Sequence, residues 1–208
     1  MVRNILVALA FAGASTPLFA VPLDVRVIDA SGRPVRDAVV TFTPAGSAAR
    51  AARTGARFVV SQQNLQFHPF ITIIPAGADV SFPNLDPTKH HVYSFSPAKK
   101  FELKLFAKDQ SRTVHFDKPG IVALGCNIHD QMSAFIFVTD TAWTKRTNAQ
   151  GVVSFADAPN TNGRIAVWHP YLRALGGQLQ QSVSAAQRSA SVQLRLRPAS
   201  PAMPMTDY

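Results

Sequence analysis

The chain has 208 residues, of which 47% are hydrophobic and 16% are charged, so it can bury the core of one large or two small domains. Its formal net charge is +9, but the basic residues are scattered and aromatic residues do not interleave with them, which argues against nucleic acid as a partner. Such a surface would instead attract an acidic protein or anionic lipid headgroups, or would simply keep the protein soluble.

The N-terminus has the pattern of a secretory signal peptide over residues 1–20. Arg3 is followed by the apolar stretch Ile5 to Ala14 and then by small residues up to Ala20. A buried N-terminal strand or helix is the alternative. The stretch is too short to span a bilayer, and no second apolar run is long enough, so we do not expect an integral membrane protein. The mature chain should begin near Val21, in the periplasm or another exported location.

The rest of the chain has short apolar runs separated by turn residues, and helical periodicity is nearly absent. This pattern predicts an all-β protein with sandwich architecture. The predicted strands are Val25–Ile28, Val39–Phe42, Phe58–Val60, Phe70–Ile74, Val80–Phe82, Val92–Phe95, Phe101–Phe106, Arg112–Phe116, Ile121–Cys126, Ala134–Val138, Gly151–Phe155, Arg164–Trp168 and Ser191–Leu196. The segment Ala45–Ala56 is interpreted as a connector, and residues 198–208 as a disordered tail.

A run of potential metal ligands lies near the middle of the chain. Cys126, His129 and Met132 follow one another at intervals of three residues, and His90 and His91 lie upstream. Cys126 is the only cysteine and has no intrachain disulfide partner, so in an oxidising compartment a metal bond would explain its presence. Thiolate, imidazole and a weak axial thioether form the mixed ligand set that suits copper. Taken singly, each of these residues is more often a packing or surface residue.

The segments around these residues are also distinctive. Phe116-Asp117-Lys118-Pro119-Gly120 precedes the Cys-x2-His-x2-Met run, and the apolar strand Ala134-Phe135-Ile136-Phe137-Val138 follows it. Upstream, Ile74-Pro75-Ala76-Gly77 and Val80-Ser81-Phe82-Pro83-Asn84 lead to His90. Together these segments resemble the two ligand regions of cupredoxins, with the Cys-to-Met spacing of an amicyanin-like loop. The resemblance covers about residues 58 to 139. In detail, these segments are similar to those of a group of bacterial proteins described as methylamine utilization proteins.

This resemblance implies a Greek-key cupredoxin β-sandwich that binds one copper ion. His90 and His129 would supply the imidazoles, Cys126 the thiolate and Met132 the axial sulfur. His90 is preferred to His91 because adjacent strand residues point to opposite faces, and the count from Phe82 favours His90. Most cupredoxins have Asn where this chain has His91, which leaves three roles open for that side chain: a hydrogen bond, a further copper ligand, or simple exposure.

The flanking segments suggest a second module. Asp24–Val40 resembles the opening strands of carboxypeptidase-regulatory-like, transthyretin-type β domains, while Thr147–Phe155 and Ile165–Pro170 resemble its later strands. We therefore expect a copper domain over residues 58–139, inserted in or flanked by a small β-sandwich built from residues 21–57 and 140–197. Two separate β extensions packed on one domain would have the same sequence pattern.

The expected function is periplasmic electron transfer by copper cycling between Cu(I) and Cu(II), with a redox partner protein. The basic surface would suit an acidic partner. A periplasmic copper carrier or storage protein is the alternative. An enzyme that uses Cys126 as nucleophile and His129 as base is not expected, because Asp130, directly beside the histidine, is the only acid available to orient it. Zinc accepts the same Cys and His ligands but cannot change oxidation state.

Overall fold

The computed structural model describes residues 22–46 and 55–198. Within these ranges the strands β1 to β17 are, in chain order, Leu23–Asp29, Val39–Pro44, Phe58–Val59, Ser61–Gln63, Gln66–His68, Ile71–Pro75, Ala78–Pro83, His90–Ser96, Lys99–Phe106, Ser111–Phe116, Gly120–Cys126, Ser133–Thr139, Thr144–Arg146, Val152–Phe155, Gly163–Trp168, Leu179–Val183 and Ser189–Leu194. A short 3-10 helix spans Leu175–Gly177. The all-β prediction is confirmed.

One sandwich combines strands from the two ends of the described chain. Strand β1 lies between β14 and β17, pairing antiparallel with the former and parallel with the latter. Strand β2 lies between β13 and β15, and β16 extends that sheet. Leu23, Val25 and Val27 alternate with exposed residues along β1, so one face of the strand enters a core that both sheets share. Its largest members include Phe42, Phe155, Ile165 and Leu194. We call this unit the terminal sandwich.

A second sandwich is formed by the middle of the chain. Its larger sheet has the order β6-β12-β11-β8-β9, and its smaller sheet has the order β10-β7-β3. Side chains of both sheets meet in a separate core that contains Phe82, Phe106 and Phe116, together with Cys126 and Met132. The hairpin β4-β5 lies beside it, and Phe67 of this hairpin belongs to the same core. We call this unit the central sandwich.

An aromatic contact joins the two sandwiches. Trp168, at the end of β15, lies with its ring centroid 5.4 Å from that of Phe135 and 5.9 Å from that of Phe137, both on β12. Val39 and Ile71 complete the buried part of this cluster. The terminal sandwich therefore covers the outer face of β12. This packing holds in place the strand to which the loop with Cys126, His129 and Met132 leads.

Every predicted strand overlaps an observed one, but the sequence analysis missed four strands. Strands β4, β5, β13 and β16 are short and rich in polar residues. The predicted signal peptide at 1–20 lies outside the described residues, as do residues 47–54 of the predicted connector and all of the predicted tail except Pro198. Within the described ranges, no helix has the length and apolar character needed to cross a membrane.

Candidate metal centre

Three side chains that can bind a metal converge at one end of the central sandwich. His90 begins β8, Cys126 ends β11, and His129 lies in the loop between β11 and β12. Strands β8 and β11 are paired neighbours, with Cys126 opposite Val92, so the strand register brings the thiol next to the start of β8. On its other side β8 pairs with β9, and a β-bulge shifts the register of that pairing between His90 and Val92.

The distances between the potential ligand atoms are short. The Cys126 Sγ lies 3.8 Å from Nδ1 of His90 and 3.5 Å from Nδ1 of His129. The three ligand atoms all lie within 4.8 Å of one another. The two imidazole rings have centroids 5.0 Å apart and planes inclined by 60°. The structure therefore brings together two nitrogens and one sulfur in a space of atomic size.

These separations fit a single metal ion. With metal–nitrogen and metal–sulfur bonds of about 2.0 and 2.3 Å, nitrogen and sulfur ligands lie about 3.5 Å apart in tetrahedral and about 3.7 Å apart in trigonal coordination. The observed distances of 3.5 and 3.8 Å match that range. Three donors of this kind suit copper or zinc.

The three side chains of the group are largely buried. His90 is fully buried, Cys126 is 3% exposed, and His129 is half-buried. Met132, which the sequence predicts as the axial ligand, is 2% exposed and belongs to the same core as Cys126. Its backbone N–H donates to the His129 carbonyl oxygen at 3.0 Å, which closes the turn between these two residues. The ligand role of Met132 stays a prediction.

The surroundings favour a neutral His129. Burial lowers the pKa of His129, the nearby His90 lowers it further, and the Asp86 carboxylate opposes this. A neutral imidazole keeps one ring nitrogen free of hydrogen, which is the form that binds a metal. The loop is therefore prepared for metal binding at neutral pH.

His91 lies on the opposite face of β8 and is not part of the group. Its Nε2 is 2.8 Å from Oε1 of Glu102, so of the three roles left open by the sequence the side chain takes the hydrogen bond. Its carbonyl oxygen accepts the N–H of Asn127 at 3.0 Å. This bond ties β8 to the residue after Cys126, so the two ligand regions are joined through backbone atoms.

The sequence analysis missed one residue at this site. Asp86 has its Oδ2 2.8 Å from Nε2 of His90, and its side chain is 7% exposed. Burial alone would raise the pKa of Asp86, but hydrogen bonds from the N–H groups of Leu65 and Asn64 and from His90 lower it overall. A buried carboxylate with this many donors stays ionised. The only sequence signal was an acid four residues before a predicted histidine ligand.

The other histidines are not part of the group. His115 contacts Asp79 on the exposed surface of the central sandwich, with 2.8 Å between Nδ1 and Oδ1. His169 is buried beside the end of β15, and His68 is exposed at the end of β5.

Comparison with known proteins finds solved structures of low sequence identity. No family model and no curated protein matches the sequence. A copper-containing nitrite reductase from Thermus scotoductus SA-01 has 23% identity and a TM-score of 0.40, over 47% of this chain and 25% of that chain. The chain therefore spans a quarter of that enzyme's length.

Two smaller proteins are matched over nearly their whole length. A purple cupredoxin from Nitrosopumilus maritimus has 17% identity and a TM-score of 0.36, over 39% of this chain and 99% of that chain. A variant of amicyanin in its Cu(I) form has 18% identity and a TM-score of 0.37, over 48% of this chain and 98% of that chain. The resemblance to methylamine utilization proteins stays a prediction.

Proposed function

We propose that the chain binds one copper ion through His90, Cys126 and His129, with Met132 as the axial ligand. The observation that supports this most directly is the pair of short Sγ-to-Nδ1 distances, 3.8 Å to His90, which is 36 residues away in sequence, and 3.5 Å to His129 in the same loop. A buried thioether in the same core favours copper over zinc, because thioether sulfur is a soft ligand.

We further propose that the protein is an electron carrier rather than an enzyme. Bound copper supplies a one-electron couple between Cu(I) and Cu(II). The chain contributes a rigid support: His90 is fixed by a buried carboxylate, and Cys126 ends a strand with paired neighbours on both sides. Ligands that move little between the two oxidation states favour rapid electron transfer. His129, half-buried beside the exposed Ile128, is where a redox partner would approach.

The proposed setting is the periplasm or another exported compartment, and the proposed partner is an acidic redox protein. The N-terminal signal pattern supports export, and the net charge of +9 supports an acidic partner. We also propose that residues 21–57 and 140–197 form one flanking domain around the copper domain at 58–139. The pairing of β1 with β14 and β17 supports this division.

The test is visible absorption and electron paramagnetic resonance of the signal-free protein after addition of Cu(II). The expected result is an intense thiolate-to-copper band that disappears in Cys126→Ser and persists in the matched control His115→Ala, whose histidine is exposed and outside the group. Colourless protein that binds Cu(I) would support the alternative role of copper carrier or storage protein. Failure to bind copper in either oxidation state would contradict both roles.

A further inference from the structure

The orientation of the His90 ring is determined by two neighbours on opposite sides. Its Nε2 lies 2.8 Å from the Asp86 carboxylate, and its Nδ1 lies 3.8 Å from the Cys126 sulfur. An ionised carboxylate can only accept hydrogen bonds, so Nε2 must carry the hydrogen. In the neutral form of His90 this is the only ring N–H, so the lone pair of Nδ1 is directed towards Cys126. We propose that Asp86 is a positioning residue that selects the Nε2–H tautomer of His90 and thereby prepares Nδ1 for the metal.

Asp86 is itself held in place by the backbone. Its Oδ1 accepts the N–H of Asn64 at 2.6 Å, and its Oδ2 accepts the N–H of Leu65 at 3.0 Å. Asn64 and Leu65 form the two-residue turn between β4 and β5, and both have positive φ, at 55° and 56°. This is the type I′ geometry, which a leucine adopts only at a cost. The carboxylate stabilises the turn, and the turn in exchange prevents the carboxylate from rotating away from His90.

A second anchor fixes the loop that carries Asp86. Asn84 is fully buried, and its Oδ1 accepts the N–H of Asp86 at 2.9 Å. Its Nδ2 donates to the carbonyl oxygens of Thr88 at 2.8 Å and Phe106 at 3.1 Å. The loop between β7 and β8 is therefore tied to β9 on one side and to the β4-β5 turn on the other. His90, which ends this loop, has little freedom to reorient.

The consequences for the metal follow from the charge of Asp86. A carboxylate on the far nitrogen makes the near nitrogen a stronger donor, and loss of such a partner weakens metal affinity about 10–100-fold. The stronger donor favours the more highly charged Cu(II). Removal of the carboxylate should therefore raise the reduction potential. This consequence rests on the copper site proposed above, whereas the tautomer is a property of the metal-free protein.

The experiment uses Asp86→Asn in the metal-free, 15N-labelled protein, with the His90 tautomer measured by long-range 1H–15N correlation. If the amide NH2 faces His90 it donates to Nε2, and the ring proton must move to Nδ1. In that orientation the NH2 also opposes the N–H of Leu65, and in the reverse orientation, with the amide oxygen facing His90, it opposes the N–H of Asn64. Asp86→Ala, which offers His90 neither a donor nor an acceptor, is therefore measured beside Asp86→Asn. We expect Nε2–H in the wild type and a larger fraction of Nδ1–H in the variants.

The matched control is Asp79→Asn, which removes the carboxylate from the exposed His115 pair in the same sandwich and should leave the His90 signals unchanged. Nδ1–H in the wild type, or unchanged Nε2–H in both Asp86→Asn and Asp86→Ala, would overturn the proposal. If Asp86→Asn does not fold, the change is made together with Leu65→Gly. The turn then becomes Asn-Gly, which adopts type I′ geometry without help from a carboxylate.

Copper titration and voltammetry of the same proteins give the second measurement. Leu65→Gly alone should retain the wild-type tautomer and affinity, whereas the double variant should lose about 10–100-fold in affinity and have a higher potential. A wild type with the Nε2–H tautomer that binds no copper would contradict the proposed function and not the role of Asp86. A blue wild type whose potential and affinity are unaffected by Asp86→Asn would contradict the role of Asp86 and not the proposed function.

Discussion

Trp168→Ala tests how strongly the two sandwiches depend on each other. Trp168 is 6% exposed and contacts Phe135 and Phe137 of the central sandwich while belonging to a strand of the terminal one. Truncation of a buried tryptophan costs about 3–5 kcal/mol. With a urea dependence of about 2 kcal/mol/M, the unfolding midpoint should fall by about 1.5–2.5 M. Because His90, Cys126 and His129 lie outside this aromatic cluster, the copper affinity of the folded variant should not change.

Two probes report separately on the two sandwiches of the metal-free protein. Tryptophan fluorescence follows the terminal sandwich, through Trp143 in its core and, in the wild type, also through Trp168 on β15. The reactivity of the Cys126 thiol, buried in the central core, follows the other sandwich. We expect the two transitions to coincide in the wild type and to separate in Trp168→Ala. Leu175→Ala is the control, since Leu175 is 101% exposed. A midpoint that moves by no more than in this control would show that the aromatic contact does not stabilise the assembly.

Three further predictions concern the stability of the terminal sandwich, each measured by urea unfolding. Gly151 and Gly32 both have positive φ, but of the two only Gly151 has backbone atoms close to an added Cβ, the nearest at 2.5 Å. Gly151→Ala should therefore lower the free energy of unfolding by about 1–3 kcal/mol more than Gly32→Ala. Equal losses would contradict this. Thr147→Val should cost about 1–3 kcal/mol by leaving the buried N–H of Ala38 unpaired, whereas Thr147→Ser should cost much less. Burial lowers the pKa of His169 below the unfolded value of about 6.5, so stability should fall as pH drops below that value, and His169→Gln should flatten this dependence.

The sequence predicted strands well where apolar residues form a run or alternate, and poorly where a strand is short and mostly polar. Strand β1 alternates between buried and exposed residues along most of its length, and its pattern was read correctly. Strand β13, Thr144–Arg146, has no buried residue, and it exists because its backbone pairs with β2. Pairing of this kind depends on residues about a hundred positions away. Local patterns contain no information about it.

The grouping of His90, Cys126 and His129 could be predicted, and the support of His90 could not. Alternation along β8 favoured His90 over His91, and His90 is the one that lies beside Cys126 and His129, because the period of a strand decides which side chain reaches the core. The role of Asp86 was invisible, since it depends on a turn at Asn64 and Leu65 that lacks the glycine by which such turns are recognised. The Asp86 carboxylate, which accepts the N–H groups of both turn residues, stabilises the turn in place of a glycine. This contact can be seen only in the folded structure.

The arrangement of the two sandwiches determines how the group is reached. Trp168 and its neighbours cover the outer face of β12, and His90, Cys126 and Met132 are buried in the central core. Of the four predicted ligands, His129 alone has substantial exposed surface, next to Ile128, which is 47% exposed. An electron or a copper ion that enters the proposed site must therefore pass the β11-β12 loop. The same loop is tied to β8 by the hydrogen bond from the Asn127 N–H to the His91 carbonyl oxygen. The loop that carries the exposed ligand His129 is therefore held in place by its neighbouring strand.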